Sequence, residues 1–328
     1  MNWIKGISPI SFPTFGLEMN PPEGFSLGSA EIRFYGLIIA IGLLLAAVYG
    51  LRRKTQFGLT EDDILDGALC IVPFAIICAR AYYCIFAWDK FSAHPIEVLY
   101  IWQGGLAIYG GVIGAAIGII AYCMIKKIPI GTVMDITALG FLIGQSLGRW
   151  GNFFNREAFG APTESFLRMG LQLTENGDAA SQMYFYHPTF LYESLWNLVG
   201  FVLLHFLSKK RKYDGQIALG YVAWYGLGRT FIEGLRTDSL YWGPFRVSQM
   251  LAAISCFIAV AVLVWQAFRV HEAEDLYVNR VAAKAAEEEV AEESAEEEAT
   301  EEVTEEIAEE VAEEVAEETE ATPEETNE

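Results

Sequence analysis

The chain has 328 residues, 53% of them apolar and 13% aromatic, with positive mean hydropathy. A soluble domain of this length would not need several apolar runs each long enough to cross a bilayer, so the fold class is an all-α polytopic membrane protein. The net charge of −21 belongs to one segment: residues 287–328 hold 22 glutamates and no basic residue, and the remainder carries 21 acids against 22 bases.

Residues 1–27 carry Pro9, Pro13, Pro21 and Pro22 with Trp3 and several phenylalanines, and read as an irregular extracytoplasmic segment at the membrane interface. No charged region followed by a short apolar stretch and a small-residue cleavage site opens the chain, so no cleaved signal peptide is expected. Seven spans follow, within a membrane domain over 28–271. They run from about Ser29 to Leu51, Ile64 to Trp88, Leu106 to Ile125, Thr132 to Leu147, Pro188 to Leu207, Gln216 to Ile232 and Val247 to Phe268. Residues 149–188 form a polar insertion long enough for a small extramembrane cap. Basic clusters close the first, third, fifth and seventh spans: Arg52 to Lys54, Lys126 with Lys127, Lys209 to Lys212, and Arg269. The positive-inside rule then places the C-terminus in the cytoplasm and the N-terminus outside. The acidic tail, 272–328, repeats EEVA and repels itself, and is expected to be disordered or transiently helical.

Glycines recur every four residues at Gly110, Gly114 and Gly118 and at Gly140, Gly144 and Gly148, a spacing that lets helix backbones approach closely in lipid. The pair Gly104 and Gly105 suggests a flexible or closely approached backbone at the outer boundary. Cys70, Cys78, Cys84, Cys123 and Cys256 all fall in spans, without a CxxC pair, and read as small packing residues; no metal or soluble cofactor is implied.

The chemistry is sought among polar residues that hydrocarbon should exclude. The run GRWGNFFNREAFG, Gly148 to Gly160, lies where the fourth span gives way to water. Arg33 and Tyr35 open the first span, Arg80 sits in the second, and His187, Tyr192 and Glu193 begin the fifth. Arg229, Glu233 and Arg236 share one helix face at i, i+4, i+7 spacing. Such a stripe should face the bundle interior or a wet cavity; its alternative is a structural ion-pair network. Arg149 and Arg229 both fall in the outer half of the membrane, where two arginines can clamp one phosphate, here that of a phospholipid headgroup. Asn152 and Asn155 can bond glycerol hydroxyls or carbonyl oxygens. Glu157 can orient an arginine, or be an exposed cap acid.

Gly144 to Gly148 matches G-x-S-x-G, but late in an apolar helix rather than at a strand–turn–helix elbow, which argues against Ser146 as a nucleophile. Walker A, HExxH and dinucleotide fingerprints are absent, and nothing indicates nucleic-acid binding. A transporter for an anionic solute would also suit intramembrane arginines, but no inverted repeat is visible.

Several of these runs, taken together, resemble the bacterial prolipoprotein diacylglyceryl transferases. The matching runs are GRWGNFFNREAFG, IWQGGLAIYGGVIG from Ile101 to Gly114, Arg33 to Gly36, His187 to Glu193, and Arg229 with Glu233. The resemblance covers about residues 30–268 and leaves out the tail. It implies an enzyme of the bacterial inner membrane that moves diacylglyceryl from phosphatidylglycerol to the lipobox cysteine thiol of a preprolipoprotein, releasing glycerol 1-phosphate. It assigns Arg149 to the headgroup and Arg229 to the leaving phosphate, with Glu233 orienting Arg229. Asn152, Asn155, Tyr35 and Glu157 would position the donor, and Gly160 would be a close-approach backbone position. Many members carry histidine where this chain has Tyr109. Tyrosine, with an ordinary pKa near 10, is a poor base unless arginines lie beside it, so Tyr109 either is such a shifted base or only hydrogen-bonds.

Overall fold

A computed structural model describes residues 6–28, 30–101, 104–175, 178–179, 183–237 and 241–320. Residues 1–5 with Trp3, Ser29 at the expected start of the first span, Trp102 and Gln103 of the IWQGG run, and the tail end 321–328 lie outside them. The chain divides into two units, Met1–Val278 and Asn279–Glu328.

Within the first unit the helices are α1 (Phe34–Arg53), α2 (Glu61–Phe86), the short α3 (Trp88–Phe91), α4 (Ile108–Lys126), α5 (Ile130–Asn155), α6 (Thr189–Ser208), α7 (Gln216–Gly234) and α8 (Val247–Ala267). Six of them, all but α3 and α7, are long and apolar enough to cross a membrane by length and composition. The sixth expected span, α7, forms as a helix but falls outside that set. Gln216, Arg229 and Glu233 dilute its hydrocarbon character, and its polar groups are turned to neighbours rather than lipid.

The fold is mostly helical, as expected, and short strands are added to it. The N-terminal segment is not irregular but gives β1 (Gly6–Phe12), β2 (Leu17–Met19), β3 (Gly24–Leu27) and, just before α1, β4 (Ala30–Arg33). The cap gives β5 (Met169–Glu175), β6 (Asp178–Ala179) and β7 (Tyr184–Tyr186), and β8 (Tyr241–Trp242) pairs with β9 (Phe245–Arg246) before α8. One sheet has the order β2-β1-β5-β6, with β7 also on β5. The cause is a period-two pattern: Ile10 and Phe12 on β1, and Met169 and Leu171 on β5, are buried on one face. They pack with Phe153, Phe159, Tyr186 and Phe190, so the N-terminal strand, the cap and the ends of α5 and α6 share a core. Pro9, which has no N–H, lies where the β1–β5 register shifts between Ile7 and Ser11.

The fourth expected span ends at Leu147; α5 instead continues through the motif to Asn155. It stops because Arg156 takes a left-handed conformation, φ 53°, and the Glu157 N–H donates to Asn152 O at 3.0 Å. At the other end of the bundle α2 starts with a capping box: Thr60 Oγ1 accepts from Asp63 N–H while Asp63 accepts from Thr60 N–H.

The two glycine stripes differ in kind. A Cβ on Gly110, Gly114 or Gly118 would lie 2.4 Å from Cys78 O, 2.3 Å from Phe74 O and 2.9 Å from Ile71 Cα, so α4 packs backbone to backbone on α2. A Cβ on Gly140 would meet Ala46 Cβ at 3.3 Å, but one on Gly144 or Gly148 would meet nothing within 4 Å. Helices α6 and α7 interlock by other means. Trp196 and Trp224 stack at 4.3 Å, and each indole N–H donates to the other's carbonyl at 2.9 Å.

Arg80 on α2 is buried without meeting a carboxylate among its hydrogen-bond partners. Its guanidinium donates to the carbonyls of Glu97 (2.7 Å), Val98 (2.8 Å), Tyr100 (3.4 Å), Gly104 (2.6 Å) and Gly105 (3.0 Å), and lies over the Phe91 ring. Gly104 and Gly105 both have positive φ, 87° and 78°, as this tight wrap requires.

The second unit is the acidic part of α9 (Tyr277–Glu320). The tail was expected to be disordered or transiently helical; the helix follows from Glu and Ala, both strong helix formers, and from the lack of glycine or proline before Pro323.

Candidate active site

The end of α5, the start of α6 and the end of α7 meet, and each brings one charged residue to the same place. Helices α5 and α6 run antiparallel, which sets Arg149 opposite Glu193. Arg149 Nη2 donates to Glu193 Oε1, and Arg229 Nη1 on α7 donates to Glu193 Oε2 at 3.0 Å. Glu193 is only 2% exposed. Arg229 Nη2 also pairs with Glu233 Oε2 at 2.5 Å, and Arg236 Nε lies 4.0 Å from the same oxygen. The face Arg229–Glu233–Arg236 is thus an ion-paired ladder, and its first rung is shared with Arg149 through Glu193. Two half-buried guanidinium groups converge on one buried carboxylate, and Glu233 supplies a second carboxylate to Arg229.

The asparagines extend this cluster outward. Arg149 Nη1 reaches Asn152 Oδ1 at 3.5 Å, and Asn152 and Asn155 each donate to Glu157 Oε1 at 3.1 Å. Glu157 therefore acts on Arg149 through Asn152 rather than directly. Tyr35 lies near enough to Arg149 and Glu157 to interact with both charges, and its ring fills the space beside Gly151, where a Cβ would come within 2.5 Å of it.

Gly160 is a close-approach position. A Cβ there would stand 2.7 Å from His187 Cβ and 2.9 Å from Leu235 O. Gly160 donates to His187 O and bridges Arg236, and Ala161 donates to Leu235 O, so the cap is stitched to the turn after Glu233. The imidazole of His187, 3.3 Å from the Tyr192 hydroxyl, is held below its ordinary pKa by burial.

Other sequence candidates sit elsewhere. Arg156, the motif's second arginine, donates to Pro21 O and Asn20 Oδ1 and lies 3.9 Å from Glu23, fastening the N-terminal segment. The Tyr109 hydroxyl bonds Ser248 on α8 at 3.1 Å. Ser146 Oγ donates to Ser194 O at 3.0 Å inside the α5–α6 contact, a packing role. Two residues were underrated in the sequence. Glu193 is the hub of the arginine pair, and Tyr225 on α7 interacts with Arg149, Arg229 and Glu193. Its i−4 spacing from Arg229 is the signal that could have found it. Among the described residues no group of three or more His, Cys, Asp and Glu side chains could hold a metal ion.

Fold and site together define a multi-pass helical membrane protein with an ion-paired polar interior. A family model described as prolipoprotein diacylglyceryl transferase matches residues 22–265. Three relatives carry the name phosphatidylglycerol–prolipoprotein diacylglyceryl transferase. That from Listeria monocytogenes serotype 4a is 40% identical over 255 residues, covering 76% of this chain and 91% of its own. That from Ligilactobacillus salivarius is 43% identical over 253 residues, 75% and 93% of the two chains, and that from Bacillus licheniformis 42% identical over 261 residues, 78% and 96%. The chain belongs to the prolipoprotein diacylglyceryl transferase family, and it is a transferase.

Proposed function

We propose that this chain transfers the diacylglyceryl group of phosphatidylglycerol to the lipobox cysteine thiol of a preprolipoprotein, in the bacterial inner membrane. The convergence of Arg149 and Arg229 on Glu193 carries the proposal. A lipid phosphate entering between them would share both guanidinium groups with that carboxylate. The thiolate attacks C3 of the glycerol backbone; a carbon–sulfur bond forms, the C3–oxygen bond breaks, and glycerol 1-phosphate leaves with the electron pair. Negative charge passes from sulfur to phosphate, so a fixed cation beside the leaving oxygen lowers the barrier.

Arg149 holds the headgroup and Arg229 the departing phosphate, with Glu233 orienting Arg229. Asn152, Asn155, Tyr35 and Glu157 position the glycerol, and Gly160 lets the cap close against His187 and Leu235. Tyr109 hydrogen-bonds rather than serving as the base, since its hydroxyl meets Ser248; water or another group takes the thiol proton. Helix α7 completes seven membrane-crossing helices, shielded by its neighbours. The basic ends of α1, α4 and α6 face the cytoplasm, which puts the site in the outer half of the bilayer and the acidic tail inside.

The test mixes purified protein, phosphatidylglycerol and a lipobox peptide. A peptide mass gain of one diacylglyceryl, abolished by Arg149→Ala and retained by Ser146→Ala, is expected. Anion flux in liposomes without peptide modification would refute transfer.

A further inference from the structure

The charged cluster does not end at Glu193. One turn further into the bundle, Gln145 lies four residues before Arg149 on α5, Asn197 four after Glu193 on α6, and Tyr225 four before Arg229 on α7. The antiparallel register that sets Arg149 against Glu193 therefore brings Gln145 and Asn197 to about the same level of the bundle. Gln145 Nε2 donates to the Tyr221 hydroxyl at 2.9 Å, and Tyr221 stacks on Tyr225 at 5.7 Å. Asn197 is wholly buried, yet neither end of its amide has a partner among the described residues, and Gln145 Oε1 has none either. A helix interior in lipid should not keep such groups without something to bond, because each buried unmet donor or acceptor costs on the order of 1–3 kcal/mol. Packing explains Ser146 and Ser194, which satisfy one another, but not this layer. Beside it, the open strip over Gly148 and Gly144 runs along α5 from the level of Arg149 to that of Gln145.

We propose that Gln145, Tyr221 and Asn197 form a subsite for the ester carbonyls of the diacylglyceryl group. The inference rests on the diacylglyceryl donor proposed above. With the lipid phosphate at Arg149 and Arg229, its glycerol esters fall about one helical turn deeper, roughly 5.4 Å, at the level of these amides. The second N–H of Gln145, the hydroxyl proton of Tyr221 and the Asn197 amide then meet carbonyl oxygens, which only accept. Below them α5 and α7 turn apolar, matching the acyl chains. The layer distinguishes a lipid with ester carbonyls from one without, and it fixes C3 relative to Arg229 from the side opposite the phosphate.

The experiment compares diacyl phosphatidylglycerol with a dialkyl ether analogue of equal chain length, which keeps the C3–phosphate bond and lacks only the carbonyls. With the full chain and a lipobox peptide, kcat/KM should favour the diester at least about tenfold, because a site built to hydrogen-bond penalises a ligand lacking the group. Tyr221→Phe, which deletes one oxygen, and Asn197→Leu should each bring that ratio below about threefold, with the peptide KM unchanged. For a variant too slow to assay, the shift in unfolding temperature produced by each lipid compares their affinities instead, and the diester should lose its advantage there too. Equal use of both lipids by the unaltered chain, or an unchanged ratio in both variants, would overturn the subsite. No product from either lipid would instead overturn the transfer reaction, and the subsite with it.

Discussion

Replacing Gly114 by alanine should loosen the membrane domain far more than replacing Gly148, although both belong to four-residue glycine stripes. The new methyl at Gly114 would lie 2.3 Å from Phe74 O, a backbone atom of α2 that cannot rotate away. Restoring ordinary contact at 3.4 Å moves the helices apart by about 1.1 Å. A gap of that size forfeits about half of each atom pair's attraction, and each pair contributes about 0.1–0.2 kcal/mol. With on the order of 40 pairs along the seam, the loss is about 2–4 kcal/mol, in the range of overpacking measured elsewhere. At Gly148 the methyl meets nothing within 4 Å, so the expected change is within about 0.5 kcal/mol. Unfolding in mixed micelles by a denaturing detergent, followed by tryptophan fluorescence, measures both. Gly114→Ala as stable as the unaltered chain, or Gly148→Ala equally damaged, would refute the backbone-to-backbone seam.

Glu193→Gln leaves two converging guanidinium groups around a neutral amide. Removing one partner of a buried pair costs about 3–5 kcal/mol, and anionic phosphatidylglycerol should restore part of the lost unfolding temperature where a zwitterionic lipid does not; equal effects of both lipids would count against the phosphate site. Gly160→Ala should cost about 1–3 kcal/mol by pushing His187 from Leu235. It should also speed proteolysis within 161–186; an unchanged cleavage rate argues against the stitch between cap and α7. Burial holds the folded His187 below its ordinary value of 6.5, so the unfolded chain takes up the proton first. Its contribution is intact above about pH 6.5 and is lost as pH falls through the folded value. The unfolding temperature should therefore drop more steeply between pH 7 and 5 in the unaltered chain than in His187→Asn, and parallel curves would reject this.

What could be read without coordinates was mostly what lipid enforces. Spans declare themselves because hydrocarbon tolerates few charges, and Arg149 and Arg229 stood out for the same reason. The strands were hidden. Ile10 and Phe12, or Met169 and Leu171, alternate over only a few residues, and their pairing joins β1 to β5 across more than 150 positions. The end of α5 was misplaced because polarity was taken for a helix boundary; Asn152 and Asn155 are polar and still helical, and the stop depends on the backbone of Arg156. Spacing made Gly148 look like Gly114, since a repeat does not reveal what stands opposite it. Glu193 was visible as a misplaced acid, but its place between two arginines depends on the α5–α6 register.

Arg80 behaves toward the carbonyls of Glu97, Val98, Tyr100, Gly104 and Gly105 much as a bound cation behaves toward its coordination sphere. The five oxygens that receive it are neutral, so the guanidinium is solvated by the protein and not cancelled. By helix alternation, the end of α2 that carries it is also the end at which α5 finishes and α6 begins. Its uncancelled charge therefore adds to the field at that end of the bundle, and under the proposed reaction it would draw an anionic lipid toward the site before contact.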